Sequence, residues 1–346
     1  MKSYPLSFYP SRPATDHLID RFDRQLSYLR ISVTDRCNMR CDYCRPEADL
    51  YQAESHAQVM RYEEIERIVR LAAEMGVNKV RITGGEPLVR RDLVKLIKMI
   101  AAVPGIDDLS MTTNATLLKK YAKELADAGL KRINISMDSL NPLRFRKLTG
   151  GELAPVLAGI DAAMEAGIEP IKINTVLLRG INAGGEHCEV AELIDFALSK
   201  QATIRFIELM PMKQGMAWEK HYISTDEILQ RPDVRARVDV DAALSTTNSA
   251  ARYLPLKQGQ GEVGFIMPMS ERFCEGCNRL RLTADGGLRS CLPEDQQLNL
   301  RDLIRAGGSD EAIRSVFRRA ALLKPEVGSY DFSSDSDKRS MISIGG

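Results

Sequence analysis

Cys37, Cys41 and Cys44 stand in the run Thr34-Asp35-Arg36-Cys37-Asn38-Met39-Arg40-Cys41-Asp42-Tyr43-Cys44, which holds no fourth cysteine and no histidine. A four-iron cluster is normally held by four thiolates, so three leave one iron open to a small molecule, and an open iron suggests chemistry. Zinc also binds clustered cysteines, but structural zinc takes four protein ligands. The nearest histidine downstream, His56, lies outside the loop. Three inert core thiols are a poor alternative, because Asp35, Arg36, Asn38, Arg40 and Asp42 share the run and rarely occupy a core.

A second group repeats the pattern. Cys274 and Cys277 open Phe273-Cys274-Glu275-Gly276-Cys277-Asn278-Arg279-Leu280-Arg281-Leu282, and Cys291 follows a turn at Asp285-Gly286. The Arg-Leu-Arg-Leu alternation puts Arg279 and Arg281 on one face of a strand beside the cysteines. Zinc is a stronger rival here, since CxxC with a distant cysteine is a common half-site, yet a fourth ligand is again missing. The seventh cysteine, Cys188, stands alone and reads as packing at the start of a helix. A grouping of three, one and three does not fit a disulfide framework.

The elements that must position these residues form repeated βα units. Strands are expected at Leu29–Val33, Lys79–Thr83, Leu109–Thr113, Arg132–Met137, Ile171–Leu177 and Ile204–Leu209, with amphipathic stretches between them. Gly76, Gly105, Gly129 and Gly167 fall where helices need a left-handed stop. Asn141-Pro142 marks a helix start. Six units imply either an incomplete barrel or an open doubly wound sheet. After residue 225 the rhythm fades and Arg231 to Gly261 reads as irregular, which divides the chain into 1–225 and a smaller part, 226–346.

Buried parallel strands usually read as continuous apolar runs; these alternate. Lys79, Arg81 and Thr83 share a face, as do Thr112 and Asn114, then Asn134, Ser136 and Asp138, then Lys172 and Asn174. The opposite face is Val80, Ile82, Ile133, Ile135, Ile171 and Ile173. With helices over the apolar face, the polar face must line an interior, and buried polar groups need partners. Lys79, Arg81, Lys172 and Arg205 would gather several cations there, which is unfavourable unless an anion such as a polyphosphate neutralises them. Gly84-Gly85-Glu86-Pro87 follows the second strand and lets backbone approach a ligand at the C-terminal end of the sheet.

Lys+Arg 48 against Asp+Glu 47 leaves a formal net charge of +1. That balance argues against a broad electrostatic footprint for nucleic acid or an anionic membrane. No apolar run reaches membrane-span length, and prolines and charges break the first 24 residues, so a cytoplasmic enzyme, or one in an organelle matrix, is expected.

The CxxxCxxC spacing with Tyr43, followed one βα unit later by Gly84-Gly85-Glu86-Pro87, resembles the radical S-adenosylmethionine (SAM) superfamily. Its open iron binds the amino and carboxylate groups of SAM. With the second cysteine group and the terminal Gly345-Gly346, almost the whole chain resembles the molybdenum cofactor biosynthesis protein A family of radical SAM GTP 3′,8-cyclases.

The resemblance implies an incomplete (β/α)6 TIM-like barrel with the smaller C-terminal domain carrying a second [4Fe-4S] cluster across its open side. It implies that the cluster on Cys37, Cys41 and Cys44 cleaves SAM to methionine and a 5′-deoxyadenosyl radical. The cluster on Cys274, Cys277 and Cys291 then binds the guanine of GTP. Hydrogen abstraction from C3′ and attack on C8 give (8S)-3′,8-cyclo-7,8-dihydroguanosine 5′-triphosphate, in the first step of molybdenum cofactor biosynthesis.

The family's SAM contacts fall on Tyr43, Gly85, Ser136 and Met210. Its GTP contacts fall on Arg30, Lys79, Arg81, Thr112, Lys172, Arg205, Arg279 and Arg281. An electron donor such as a flavodoxin or ferredoxin and a homodimer are further family expectations, and the glycine tail would reach the active site. Ala115 departs from the glycine often found there and bears on the shape of that turn. The enzyme alternative is another two-cluster radical SAM protein, such as a peptide-modifying maturase; the alternative of another class is a non-catalytic zinc or nucleic-acid module.

Overall fold

The period-two alternation becomes six parallel strands: β1 (Tyr28–Ser32), β2 (Lys79–Thr83), β3 (Asp108–Thr113), β4 (Arg132–Ser136), β5 (Ile171–Leu177) and β6 (Thr203–Glu208). Their ends lie within one residue of those expected. Each pairs in parallel with the next in chain order. The computed structural model describes residues 17–44, 53–211, 216–243, 245–246, 250–258, 261–294, 297–328 and 341–345.

The intervening helices are α1 (Tyr62–Glu74), α2 (Leu93–Ala101), α3 (Leu118–Asp127), α4 (Pro142–Thr149), α5 (Leu153–Glu165) and α6 (Val190–Ser199). The four expected glycine stops all take positive φ. Asn141 caps α4 by accepting the backbone N–H groups of Leu143 and Arg144, with Pro142 in the first turn. Both signals are local, which is why they are readable without tertiary information.

The remaining elements are α7 (Trp218–His221), α8 (Thr225–Leu229), α9 (Pro232–Arg235), β7 (Ser245–Thr246), β8 (Arg252–Pro255), β9 (Glu262–Ile266), β10 (Arg279–Leu282), β11 (Gly287–Arg289), β12 (Gln297–Asn299), α10 (Leu300–Arg305), α11 (Asp310–Leu323) and α12 (Met341–Ile344). β9 joins β6 in parallel and β10 joins β1 in parallel. The sheet runs β12-β11-β10-β1-β2-β3-β4-β5-β6-β9-β8-β7, with β12 and β7 as open edges. β1 to β6 follow chain order with no reversal, and among the described residues no hydrogen bonding closes the sheet into a ring, so the α/β fold is a partial barrel and not the doubly wound sheet.

The stretch from Arg231 to Gly261, expected to be irregular, instead holds α9, β7 and β8. β8 forms an antiparallel hairpin with β9, Tyr253 opposite Gly264. Such short strands carry too few alternations to register as a pattern, and their order comes from pairing with β9.

The apolar strand face packs under the helices: Val80, Ile82, Met111, Ile133, Ile135 and Ile173 have no solvent exposure. Phe206 of β6 meets Phe265 of β9 with ring centroids 6.0 Å apart. Truncating either buried ring to alanine should cost about 3–5 kcal/mol. That contact fastens the later strands to the six-strand core, and with them one wall of the interior. Among the described residues, no helix is long and apolar enough to cross a membrane.

Candidate active site

The two glycines after β2 are required by the cysteine loop. Gly85 N–H donates to Thr34 O at 2.6 Å and Glu86 N–H to Arg36 O at 2.8 Å. A Cβ on Gly85 would lie 2.3 Å from Arg36 O, so any side chain would force the loop away. The buried Glu86 carboxylate then accepts from Leu88 N, Thr113 Oγ1 and Asn114 N. Burial outweighs these donors and pushes its carboxyl up to about 7.

Asn114 donates through Nδ2 to Asn38 Oδ1 at 2.9 Å and to Cys37 Sγ at 3.8 Å. Cys37 Sγ also accepts Met39 N–H at 3.3 Å. Next in the chain, Ala115 adopts a left-handed φ of 60°. That conformation explains why glycine is at home at this turn, and here alanine adopts it.

Cys41 and Cys44 complete the loop, with Cys44 N–H bonded to Cys41 O at 3.0 Å. Tyr43 donates its hydroxyl to Asp138 Oδ2 at 2.6 Å, and Asp138 Oδ1 accepts Val176 N–H at 2.8 Å. Burial raises the Asp138 carboxyl to about 6. The Cys41 thiol stands well above its ordinary value, first through burial and then through the negative charges of Cys44, Asp138 and Cys37.

Three thiolates this close need a strong compensating positive charge, and the irons of a cluster supply it. Among the described residues, no three His, Cys, Asp or Glu side chains converge as they would on a single ion. A cluster asks for something different, since each thiolate takes its own iron. The donor set therefore fits an iron–sulfur group.

The inward faces of the strands line one cavity of about 420 Å³. Cys37, Cys41 and Cys44 lie on its wall, and so do Cys274, Cys277 and Cys291. Tyr43, Gly85, Ser136 and Met210 line it, as do Arg30, Lys79, Arg81, Thr112, Lys172, Arg205, Arg279 and Arg281. The structure brings every candidate residue named from the sequence to this interior.

The cations are not all alike. Lys79 is 3.1 Å from Asp108, which also binds Arg132, so part of its charge is already balanced. Arg205 donates to Asn174 Oδ1 at 2.9 Å, and burial lowers its pKa to about 10 despite the help of Tyr253. Burial likewise lowers Arg281 to about 10, with Arg279 adding repulsion. Burial of guanidinium groups this close together is favourable only with an anion among them.

Sequence reasoning passed over Tyr28, Tyr253 and Lys324. Tyr28 is buried beside Lys79 and Arg81, whose cationic ends sit 5.0 and 5.6 Å from its ring centroid. Its hydroxyl has no hydrogen-bond partner among the described residues. It shares the inward face of β1 with Arg30, so extending the alternation back one step would have found it. Lys172 Nζ donates to the Tyr253 hydroxyl oxygen at 3.0 Å, a contact set only by the β8–β9 hairpin.

At the second cysteine group, burial raises Cys277, but Lys324 and Arg279 outweigh it and bring the thiol down to about 7. Buried Arg24 donates to Cys274 O at 2.7 Å, Glu326 O at 2.9 Å and Pro325 O at 2.5 Å. One side chain therefore fastens this loop to both ends of the described chain. Arg281 Nη1 lies 3.5 Å from Gly345 O; Gly346 lies outside the described residues.

Comparison with known proteins decides what this cavity belongs to. The model of the radical SAM superfamily matches residues 31–197, and that described as Molybdenum Cofactor Synthesis C matches residues 202–330. A GTP 3′,8-cyclase of Alkaliphilus metalliredigens is 43% identical over 94% of this chain and 99% of its own length. The chain belongs to the GTP 3′,8-cyclase family.

A second family member, from Pelotomaculum thermopropionicum, is 42% identical over 94% of this chain and 99% of its own. Among solved structures, Streptococcus suis SuiB bound to S-adenosylmethionine superposes with a TM-score of 0.55 at 17% identity, over 86% of this chain and 69% of that one. That likeness carries the partial-barrel fold. Membership brings with it SAM and a [4Fe-4S] cluster.

Proposed function

We infer that this chain is a radical SAM GTP 3′,8-cyclase, a lyase that converts GTP to (8S)-3′,8-cyclo-7,8-dihydroguanosine 5′-triphosphate in the first step of molybdenum cofactor biosynthesis. One observation supports this above others: a single cavity has three cysteines at each of two sites on its wall and buried Arg205 and Arg281 on the same lining.

Cys37, Cys41 and Cys44 would hold the first cluster, which when bound supplies the electron that cleaves SAM and so starts hydrogen abstraction at C3′. Tyr43, Gly85, Ser136 and Met210 would seat SAM. The Tyr43–Asp138 hydrogen bond holds that ring in place. Cys274, Cys277 and Cys291 would hold a second [4Fe-4S] cluster facing guanine. Residues 226–346 would then act as the substrate-cluster part and residues 1–225 as the radical SAM part.

Arg30, Arg81, Lys172, Arg205, Arg279 and Arg281 would bind the triphosphate, with Thr112 donating its hydroxyl and Lys79 sharing its charge with Asp108. Charge-assisted hydrogen bonds in a desolvated site are among the stronger polar contacts. The protein's task is to position SAM against C3′ and exclude water. An electron donor such as a flavodoxin or ferredoxin, a homodimer and a cytoplasmic setting complete the reading.

The test is anaerobic turnover of the reconstituted enzyme with SAM, a reductant and GTP deuterated at C3′, weighing the 5′-deoxyadenosine. Deuterium in that nucleoside is the expected result. Unlabelled 5′-deoxyadenosine would move the substrate elsewhere, and none at all in a cluster-replete sample would reject the activity.

A further inference from the structure

Lys324, the first residue past α11, is 1% exposed. Its ammonium donates to the carbonyls of Arg279 at 2.9 Å and Ser290 at 2.7 Å. Arg279 lies two residues beyond Cys277 at the start of β10, and Ser290 immediately precedes Cys291 beyond β11. One side chain thus ties together the two backbone segments that present these cysteines.

An ammonium has three donors. Two go to the carbonyls, and Lys324 lines the same cavity wall as Cys277 and Cys291. The two oxygen partners are neutral carbonyls, so they hold the ammonium without cancelling it. A neutral donor could bridge two carbonyls at less desolvation cost. The burial of a full positive charge at this point asks for an anion, and the nearby sulfurs are the anions available.

We propose that Lys324 is a positioning residue of the second cysteine group, which spaces β10 and β11 for a cluster and raises that cluster's reduction potential through its charge. The physical basis is that a nearby cation favours the more negative, reduced state of a cluster. The inference rests on the reading that Cys274, Cys277 and Cys291 bind a cluster.

The experiment uses the full chain carrying Cys37→Ala, Cys41→Ala and Cys44→Ala, so that only the second cluster remains. The protein is reconstituted anaerobically, its iron is counted, and its potential is measured by electron paramagnetic resonance during a redox titration. Lys324→Gln, which keeps a donor but loses the charge, should shift the potential negative, and Lys324→Arg should restore most of the shift. Lysine labelled with nitrogen-15 should give a hyperfine coupling to the reduced cluster that disappears in Lys324→Arg.

An unchanged potential in folded Lys324→Gln overturns the proposal and leaves the second cluster standing. Absence of the nitrogen coupling overturns it even where the glutamine variant does not fold. A parent protein that binds no iron overturns the second-cluster reading, and the role of Lys324 falls with it.

Discussion

Glu86 accepts the backbone N–H of Asn114 at 2.7 Å, and the side chain of the same asparagine donates to Cys37 Sγ. A carboxylate in the glycine turn thus sets the position of a donor to a cysteine 49 residues earlier in the chain. The relationship joins the two motifs read separately in the sequence.

Because burial raises Glu86 to about 7 from 4.5, the folded state holds more protons than the unfolded one between those values. Stability should therefore be greatest at or below about pH 4.5 as far as this group is concerned, fall as pH rises towards 7, and level off above it. Glu86→Gln removes that slope but points an amide at a donor, for a net loss of about 1–3 kcal/mol near neutral pH. Denaturant unfolding of wild type and variant between pH 5 and 8 checks both the slope and the offset.

Cys37→Ala should abolish 5′-deoxyadenosine production and lower the iron bound to the enzyme, because the remaining two thiolates cannot hold a site-differentiated cluster. Persistence of SAM cleavage in this variant would remove the first-cluster assignment.

For Arg279→Ala the expected outcome is a rise in KM for GTP of about 10- to 150-fold, matching the loss of a charge-assisted contact of about 1.5–3 kcal/mol. SAM cleavage without GTP turnover should survive. Steady-state kinetics with both products measured separates the two effects, and an unchanged KM would take Arg279 out of the substrate site.

Tyr28→Phe offers a finer probe. Its hydroxyl is buried without a hydrogen-bond partner among the described residues, so its removal should leave the melting temperature unchanged or slightly higher. If that hydroxyl completes its hydrogen bonding on the triphosphate, GTP affinity should fall about 5- to 10-fold, as expected for about 1 kcal/mol. Calorimetric titration of GTP into both proteins gives the answer directly.

Gly345 has φ of 78°, and a Cβ there would meet Ser32 Cβ at 2.8 Å and Thr83 Oγ1 at 2.9 Å. Gly345→Ala should disfavour docking of the tail against β1 and β2 by at least about 1 kcal/mol. Faster proteolytic removal of the C-terminus in the variant is the expected readout.

From the sequence by itself came what local rules govern: the boundaries of the six parallel strands, the glycine stops, the Asn141 cap, both cysteine groups and the inward polar face. A β-strand turns successive side chains to opposite faces, so Lys79 and Arg81 announce a lined interior before any packing is known. Tertiary structure alone decided that the barrel stays open and that β9 and β10 extend it at opposite ends. It also decided that Tyr253 meets Lys172, that Arg24 grips the Cys274 loop, and that Lys324 bridges β10 and β11. Those contacts join residues far apart in the chain, where periodicity carries no information. Their partners are backbone carbonyls or single side chains, whose meeting depends on how distant elements pack.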